Sequence, residues 1–198
     1  MTETEIKVLW RGSAEEARAL IENRGYTLSS TRTLEADQLF DLRSGALQQT
    51  DQILRLRRTS SAEEGRHAVV TYKGCASRET YKSREEIEFE VFDPDAFTLV
   101  LERLGYHPGF RYEKYRTKFK AYGEPGIVTI DETPIGVYME LEGPQAWIDS
   151  TAAHLGFPPN RFLTVSYAGL YREYLEQHPD APPDMTFRVG NPYAAETN

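Results

Sequence analysis

The chain has 198 residues, enough for one domain with a sizeable core or for one domain followed by a tail. With 39% hydrophobic and 27% charged residues, its composition is that of a folded, soluble protein rather than a disordered one. Its formal net charge of −8 argues against a general nucleic-acid binder, which normally carries a basic surface, so we expect no nucleic-acid partner.

Cysteine usage and hydropathy indicate a location. The single cysteine, Cys75, excludes an internal disulfide and fits a reducing compartment. No apolar run approaches the length of a membrane span, and the acidic residues 1–5 are unlike a signal peptide. We therefore expect a cytoplasmic protein without a membrane partner.

The first half of the chain alternates between polar and apolar residues over several short segments. This alternation predicts a strand over residues 3–10. Ser13, with Glu16 three positions later, forms a capping box that starts a helix ending at Gly25. Further strands are predicted over residues 26–33, 39–42, 52–58 and 68–73, with a hairpin tip at 60–66.

The second half of the chain repeats this organisation. A long strand is predicted over residues 83–92, and Asp93-Pro94 then starts a helix that ends at Gly105. Strands are predicted over residues 111–122, 127–131 and 137–142, and helices over about 144–155 and 167–177. We therefore expect one globular domain, residues 1–178, and a proline-rich tail, residues 179–198, that is mobile or lies over the surface.

The predicted strands have one apolar face and one ionised face. Successive side chains of a strand point to opposite sides, so residues at a spacing of two share a face. The ionised positions are Glu3, Glu5 and Lys7; Arg55 and Arg57; Lys73; Arg84, Glu86 and Glu88; Lys114, Arg116 and Lys118; Asp131; and Glu140 and Glu142.

Two architectures explain this alternation. An antiparallel sheet with a solvated polar face is the more common one. The other is a closed or nearly closed antiparallel barrel with the charges inside and the helices packed outside. Three observations favour the barrel: the polar faces are almost wholly ionised, like charges cluster within a strand, and three amphipathic helices need an apolar sheet surface to cover.

A charged interior predicts a particular chemistry. Buried charges must be paired or must bind ions. Clustered carboxylates are hard oxygen ligands that suit Mg²⁺ or Mn²⁺, whereas clustered arginine and lysine side chains suit phosphate. Both together describe a site for a polyphosphate and a metal ion. Such a site favours phosphoryl transfer, which needs positioning and neutralisation of developing charge.

The order of these motifs resembles that of one known family. Glu3-x-Glu5-x-Lys7 matches the E-x-E-x-K signature of the CYTH superfamily, the triphosphate tunnel metalloenzymes. Between about residues 3 and 175 the chain is similar to the family in order at Leu54–Arg57, Tyr72–Gly74, Arg84–Glu88, Glu113–Arg116, Ile130-Asp131, Ile135–Gly143 and Ser166-Tyr167. The resemblance implies an α+β fold, in which the tunnel of an eight-stranded antiparallel barrel binds a triphosphate and Mg²⁺ or Mn²⁺.

The resemblance also implies roles for individual residues. The expected metal ligands are Glu3, Glu5, Glu86, Glu88, Asp131, Glu140 and Glu142. The expected substrate-binding residues are Lys7, Arg55, Arg57, Lys73, Arg84, Lys114, Arg116 and Lys118. Lys7, Glu140 and Glu142 are the expected catalytic residues, and Lys7 either holds a phosphate or orients the attacking water.

Three functions are compatible with these residues, each with a triphosphate-containing small molecule as the ligand. The complete pair Glu140 and Glu142 is similar to thiamine and inorganic triphosphatases, and it favours hydrolysis of a phosphoanhydride. The segment Leu104–Phe110 resembles class IV adenylyl cyclases, which convert ATP to cyclic AMP and diphosphate. The third function is a polyphosphate- or nucleotide-binding module without turnover. A homodimer is compatible with each of them.

Overall fold

Antiparallel strands form a closed wall in this computed structural model, which describes residues 2–61, 65–78 and 80–187. The strands among these residues are β1 (Thr2–Trp10), β2 (Thr27–Leu42), β3 (Ile53–Ser61), β4 (Gly65–Lys73), β5 (Ser77–Arg78), β6 (Lys82–Glu90), β7 (Tyr106–Lys120), β8 (Ile127–Thr133) and β9 (Gly136–Glu142). Their order is β1-β9-β8-β7-β2-β3-β4-β6, and β1 also pairs with β6. Eight strands therefore close into the expected antiparallel barrel, while the two-residue β5 pairs with β6.

Helices pack on the outside of this barrel, as expected. Those in the described part of the chain are α1 (Ala14–Asn23), α2 (Ala46–Gln49), α3 (Pro94–Arg103), α4 (Gln145–Leu155) and α5 (Tyr167–Gln177). The capping box predicted for α1 is present: the Ser13 hydroxyl accepts from the Glu16 N–H, and the Glu16 carboxylate accepts from the Ser13 N–H. Within the described residues no helix is long and apolar enough to cross a membrane.

The main hydrophobic core lies between the barrel wall and the helices rather than inside the barrel. The apolar faces of β1, β8 and β9 supply Ile6, Val128 and Met139, all at most 2% exposed. Ile21 of α1 and Ile148 of α4 cover them. Because the apolar side chains of these strands face outward to the helices, their ionised side chains face the barrel axis.

The strand β2 differs from the prediction. We predicted strands over residues 26–33 and 39–42, whereas the structure has one strand of 16 residues, Thr27–Leu42. Three register shifts in its pairing with β7 interrupt the strict alternation that the prediction needed. The short elements α2 and β5 were not predicted. In the predicted hairpin tip, residues 62–64 lie outside the described residues.

The first part of the expected tail lies along β7. Met185 is fully buried; its N–H donates to the Arg111 carbonyl (3.0 Å) and its carbonyl accepts from the Glu113 N–H (2.8 Å). The Phe187 ring packs against Tyr115, with 5.1 Å between ring centroids. Met185 thus belongs to a buried cluster with Tyr112 and Tyr171. The domain boundary at residue 178 stays a prediction, and residues 188–198 lie outside the described residues.

Candidate functional site

A cavity of about 670 Å³ lies inside the barrel and is lined mainly by ionisable side chains. Its basic residues are Lys7, Arg55, Arg57, Lys73, Lys82, Arg84, Lys114, Arg116 and Lys118. Its acidic residues are Glu3, Glu5, Glu86, Glu88, Glu140 and Glu142. All the site residues predicted from the sequence, except Asp131, therefore line one cavity, and Lys82 joins them. We call this space the charged cavity.

The register of β1 against β9 builds one wall of the charged cavity. It places Lys7 opposite Glu140, and Glu5 opposite Glu142. The Lys7 ammonium, buried in the wall, lies 2.6 Å from a Glu140 carboxylate oxygen. Burial disfavours the charged form of Lys7, but Glu140 and Glu5 outweigh that effect and raise its pKa. Lys7 is therefore a fixed cation in this wall.

Two carboxylates of β1 and β6 share one lysine. The Lys73 ammonium lies 2.5 Å from Glu3 and 2.9 Å from Glu86. Burial, together with the hydrogen bond that the protonated Glu3 carboxyl donates to the Glu86 carboxylate, raises the pKa of Glu3 to about 7. One lysine thus faces two carboxylates, and this part of the site keeps a proton up to neutral pH.

Glu5 and Glu142 illustrate the two states of a carboxylate in this cavity. Glu5 forms an ion pair with Lys82, which outweighs the effect of burial and lowers the pKa of Glu5 to about 2. Glu142 makes no hydrogen bond or ion pair with the described residues. Burial and the neighbouring Glu3 raise the pKa of Glu142. Glu142 is therefore a cavity carboxylate that no lysine or arginine among the described residues contacts directly.

This donor set fits a hard divalent cation. Mg²⁺ and Mn²⁺ prefer carboxylate oxygens, and a bound cation would neutralise the unpaired Glu142 and take the place of the proton on Glu3. Among the described residues, however, no three aspartate, glutamate, histidine or cysteine side chains converge closely enough to hold a metal. Ion pairs with lysine hold Glu3 and Glu5 apart. Metal binding therefore requires Glu3 and Glu5 to break their ion pairs with lysine and to bind the metal ion instead.

Asp131 lies behind the wall of the charged cavity rather than in its lining. It is fully buried and accepts hydrogen bonds from Lys114 (2.8 Å), Arg116 Nε (2.6 Å) and the Tyr167 hydroxyl (2.6 Å). Lys114 and Arg116 themselves line the cavity. The geometry of Asp131 is that of a residue that positions these two cations, and its expected role as a metal ligand stays a prediction.

The sequence prediction missed two carboxylates on β2. Arg57 donates to both carboxylate oxygens of Asp37 (2.8 and 3.0 Å) and lies 2.9 Å from Glu35. Burial raises the pKa of both acids, but Arg57 outweighs it and brings each to about 2. The signal was present in the alternation Leu34-Glu35-Ala36-Asp37, which lay in a segment not predicted as strand. Lys82 was missed likewise, although it lies at a spacing of two from Arg84.

Arg84 is a buried cation without a hydrogen-bond partner in the part of the chain that the structure describes. It is 3% exposed and lines the charged cavity. None of its three guanidinium nitrogens makes a hydrogen bond with the described residues. An unpaired buried charge is costly, so a guanidinium of this kind indicates that a ligand supplies the acceptors. The ligand that fits is an anion with several oxygen atoms, because one guanidinium can hold two oxygens at once.

Known proteins share motifs and fold with this chain. The family model described as CYTH domain matches residues 1–149. A protein from Methanocaldococcus jannaschii, provisionally named an adenylate cyclase, is 32% identical over 95 residues, which cover 48% of this chain and 50% of that protein. The match thus spans about half the length of this relative.

Solved structures have the same fold. A Pyrococcus horikoshii protein superimposes with a TM-score of 0.74 at 25% identity, over 87% of this chain and 99% of that one. A protein from Vibrio parahaemolyticus, provisionally named an adenylate cyclase, gives 0.70 at 17% identity over 89% and 98% of the two chains. A protein from Hippeastrum, provisionally named an adenylyl cyclase and described as having a dominant triphosphatase activity, gives 0.63 at 17% identity over 87% and 96%.

Proposed function

Because this chain belongs to the CYTH family, we propose that it is a divalent-metal-dependent enzyme that hydrolyses a phosphoanhydride bond of a triphosphate. The observation that carries the proposal is Arg84, a buried guanidinium that finds no acceptor among the described residues. It lies in a cavity lined by nine basic and six acidic side chains. A triphosphate supplies acceptor oxygens for Arg84 and negative charge for the other cations. A metal ion bound to the same triphosphate then supplies a counter-charge for the Glu142 carboxylate, which has no ion pair with the described residues.

In this proposal the basic residues of the charged cavity bind the phosphates and its acidic residues bind the metal ion. Arg84 and Lys118, which have no carboxylate partner among the described residues, are the first cations available to phosphate oxygens. The residues that would hold Mg²⁺ or Mn²⁺ are Glu3, Glu5, Glu140 and Glu142. When bound, this ion supplies Lewis-acid neutralisation of phosphate charge.

The hydrolysis step needs little covalent chemistry from the protein. The oxygen of a water molecule forms a bond to the terminal phosphorus while the bridging phosphorus–oxygen bond breaks, and the remaining phosphates leave with their charge. Lys7, fixed against Glu140, holds the terminal phosphate or orients this water. Arginine side chains such as Arg55 and Arg84 hold the leaving group, so that it departs into an already neutralised environment.

Adenylyl cyclase chemistry is the second candidate, favoured by the provisional name of the Methanocaldococcus jannaschii relative. In that reaction the ribose 3′-oxygen attacks the α-phosphorus of ATP, and diphosphate leaves. A binding module without turnover is less favoured, since a pure phosphate binder gains nothing from six carboxylates in its cavity. A cytoplasmic location, a homodimer and the lack of a nucleic-acid partner stay predictions.

One assay separates these candidates. The protein is incubated with tripolyphosphate, ATP, GTP or thiamine triphosphate, with Mg²⁺ or Mn²⁺ or after chelation. Orthophosphate and cyclic nucleotide are then measured together. We expect metal-dependent release of orthophosphate. Cyclic AMP as the main product would show that the protein is an adenylyl cyclase rather than a triphosphate hydrolase. Release of neither product from any substrate would overturn both enzymatic proposals.

A further inference from the structure

Tyr167, the first residue of α5, forms part of the lining of the charged cavity. Several contacts fix the place of its ring. The Ser166 hydroxyl accepts from the Gly169 N–H (3.2 Å) and so caps α5 at this end. Tyr138 packs edge-on against the Tyr167 ring, with 5.7 Å between ring centroids, and Tyr112 lies at 6.1 Å. The ring is therefore a fixed part of the cavity wall.

Two ammonium groups lie against this ring. The ammonium nitrogen of Lys7 is 4.4 Å from the centroid of the Tyr167 ring, and that of Lys114 is 4.8 Å from it. Both lysines are at most 3% exposed. An ammonium group is attracted to the negative face of an aromatic ring, and the attraction is stronger where water is excluded. The ring thus stabilises two cations that burial has deprived of water.

The main chain of Lys7 is held by the segment that leads into α5. The Lys7 N–H donates to the Leu163 carbonyl (3.0 Å), and the Lys7 carbonyl accepts from the Leu163 N–H (2.8 Å). Leu163 lies four residues before Tyr167 in the sequence. One short segment therefore holds Lys7 at both ends, through the backbone at one end and through the Tyr167 ring at the other.

These contacts direct the Lys7 ammonium into the charged cavity. An ammonium group has three N–H donors. The Glu140 carboxylate lies 2.6 Å from the nitrogen on one side, and the Tyr167 ring lies on another. Lys7 itself lines the cavity, so its remaining donor capacity is directed to a ligand there.

We propose that Tyr167 is a positioning residue, whose ring fixes the direction in which Lys7 donates to the terminal phosphate or to the attacking water. This inference rests on the proposed function and gives a residue of α5, outside the barrel strands, a part in its chemistry. The Tyr167 hydroxyl has a separate role, because it donates to the fully buried Asp131 (2.6 Å). We therefore expect the ring to determine turnover and the hydroxyl to contribute to stability.

Tyr167→Phe and Tyr167→Leu separate these two roles. Phenylalanine keeps the ring and loses the hydrogen bond to Asp131, so we expect a lower midpoint of urea denaturation but a kcat within about threefold of the wild type. Leucine removes the ring. Because a small displacement of a catalytic group can cost about 100-fold in rate, we expect kcat for tripolyphosphate to fall at least about 10-fold below that of Tyr167→Phe. The change in KM should be smaller, since Arg84 and other cations still line the cavity.

The matched control is Tyr26→Leu, which removes an equally buried tyrosine from the core between the barrel wall and the helices. Tyr26 and Tyr167 are each 6% exposed, and the Tyr26 hydroxyl forms a hydrogen bond with the Thr151 hydroxyl (3.0 Å). Tyr26→Leu should lower stability and leave kcat per folded molecule unchanged. If Tyr167→Leu behaves in the same way, Tyr167 is only a core residue. Equal losses of kcat in Tyr167→Leu and Tyr167→Phe would likewise overturn the role of the ring.

Nuclear magnetic resonance of lysine side chains tests the geometry without turnover, and needs no leucine variant if that protein does not fold. The ring current of Tyr167 should shift the ε-methylene protons of Lys7 and Lys114 upfield, and Lys7→Arg should remove one of the two shifted signals. Tyr167→Phe should retain both. Ordinary shifts in the wild type would refute the contact.

The proposed function and the positioning role can fail separately. If the wild type hydrolyses no triphosphate, the proposed function fails. Calorimetric binding of tripolyphosphate then decides the positioning role: Tyr167→Leu must bind it more weakly than Tyr167→Phe does, and equal binding overturns the inference. If the wild type hydrolyses tripolyphosphate and the two variants turn it over equally fast, hydrolysis stands and the positioning role is wrong.

Discussion

Two groups of ionised side chains in the barrel differ in how completely the protein pairs them. In the first, which we call the paired network, Asp131 accepts from Lys114, Arg116 and Tyr167, and Asp37 accepts twice from Arg57. In the second, the open group, the Arg84 guanidinium and the Glu142 carboxylate have no hydrogen bond or ion pair with the described residues, and Glu3 shares the ammonium of Lys73 with Glu86 and has a pKa raised to about 7. The charges of the first group serve the fold, whereas those of the second are available to a ligand and a metal ion.

Because the two groups differ in pairing, we expect one to contribute mainly to stability and the other mainly to activity. Breaking a buried pair leaves an uncompensated charge, so the paired network should affect stability first. Removing an unpaired buried charge relieves a cost in the free protein, so the open group should affect activity first. The four predictions below test this division, from the largest expected effect to the smallest.

Asp131→Asn should have the largest effect, on stability. It leaves the cations of Lys114 and Arg116 buried without their main counter-charge. We expect the free energy of unfolding to fall by about 3–5 kcal/mol, measured by urea denaturation. The matched control, Asp149→Asn on α4, removes only the charge of an exposed acceptor of the Tyr81 hydroxyl and should cost far less. A loss below 1 kcal/mol for Asp131→Asn would contradict the structural role of the paired network.

Arg84→Met should lower the activity without lowering the stability. It removes a guanidinium that has no acceptor among the described residues and keeps the apolar part of the side chain. We expect about a 100-fold loss of kcat/KM for triphosphate hydrolysis, in the range for removal of one charge-stabilising donor, with an unchanged or higher unfolding free energy. The control is Arg58→Met, in which the lost guanidinium is exposed and pairs with Asp95. A destabilised but active Arg84→Met would place Arg84 in the paired network instead.

The pH dependence of stability tests Glu3. Its folded-state pKa of about 7 exceeds the ordinary 4.5, so its contribution to stability is full below pH 4.5 and is lost as the pH rises through about 7. For the metal-free protein we expect a loss of roughly 2 kcal/mol between pH 5 and pH 8, discounted for the partial exposure of Glu3. Urea denaturation across this range measures it. Glu3→Gln should flatten the dependence of the unfolding free energy on pH. The same dependence in both proteins would show that Glu3 is not the group responsible.

Glu142→Gln should give the smallest effect, confined to the metal requirement. It removes one oxygen charge from the proposed donor set without breaking an ion pair among the described residues. We expect the Mn²⁺ concentration for half-maximal activity to rise roughly 10-fold with stability retained, since affinity follows the number of charged ligands. Electron paramagnetic resonance of free Mn²⁺ gives the binding constant directly. Glu124→Gln, in an exposed turn, serves as the control, and equal Mn²⁺ affinity in both variants would exclude Glu142 as a ligand.

The sequence alone was sufficient for the barrel, the family and most of the cavity lining. Glu3, Glu5 and Lys7 lie on a strand with strict alternation, and a spacing of two is enough to place them on one face. The same reasoning failed for Glu35 and Asp37, because the register shifts of β2 interrupt the pattern on either side. Alternation within one strand also cannot show which charges neutralise each other. The burial of Asp131 behind Lys114, and its hydrogen bond from Tyr167 of α5, depend on contacts between elements that are distant in the sequence.

The pairing of β1 with both β6 and β9 also has a consequence for how the chain folds. Ile6 pairs with Leu141, which follows 135 positions later along the chain. Contacts of such long range form slowly, so we expect β1 to remain unpaired and exposed to water until β9 has formed. The Lys7 and Glu140 charges would then leave water together, in one late step. Pulsed hydrogen exchange during refolding would show β1 amides among the last to become protected, and early protection would refute this order.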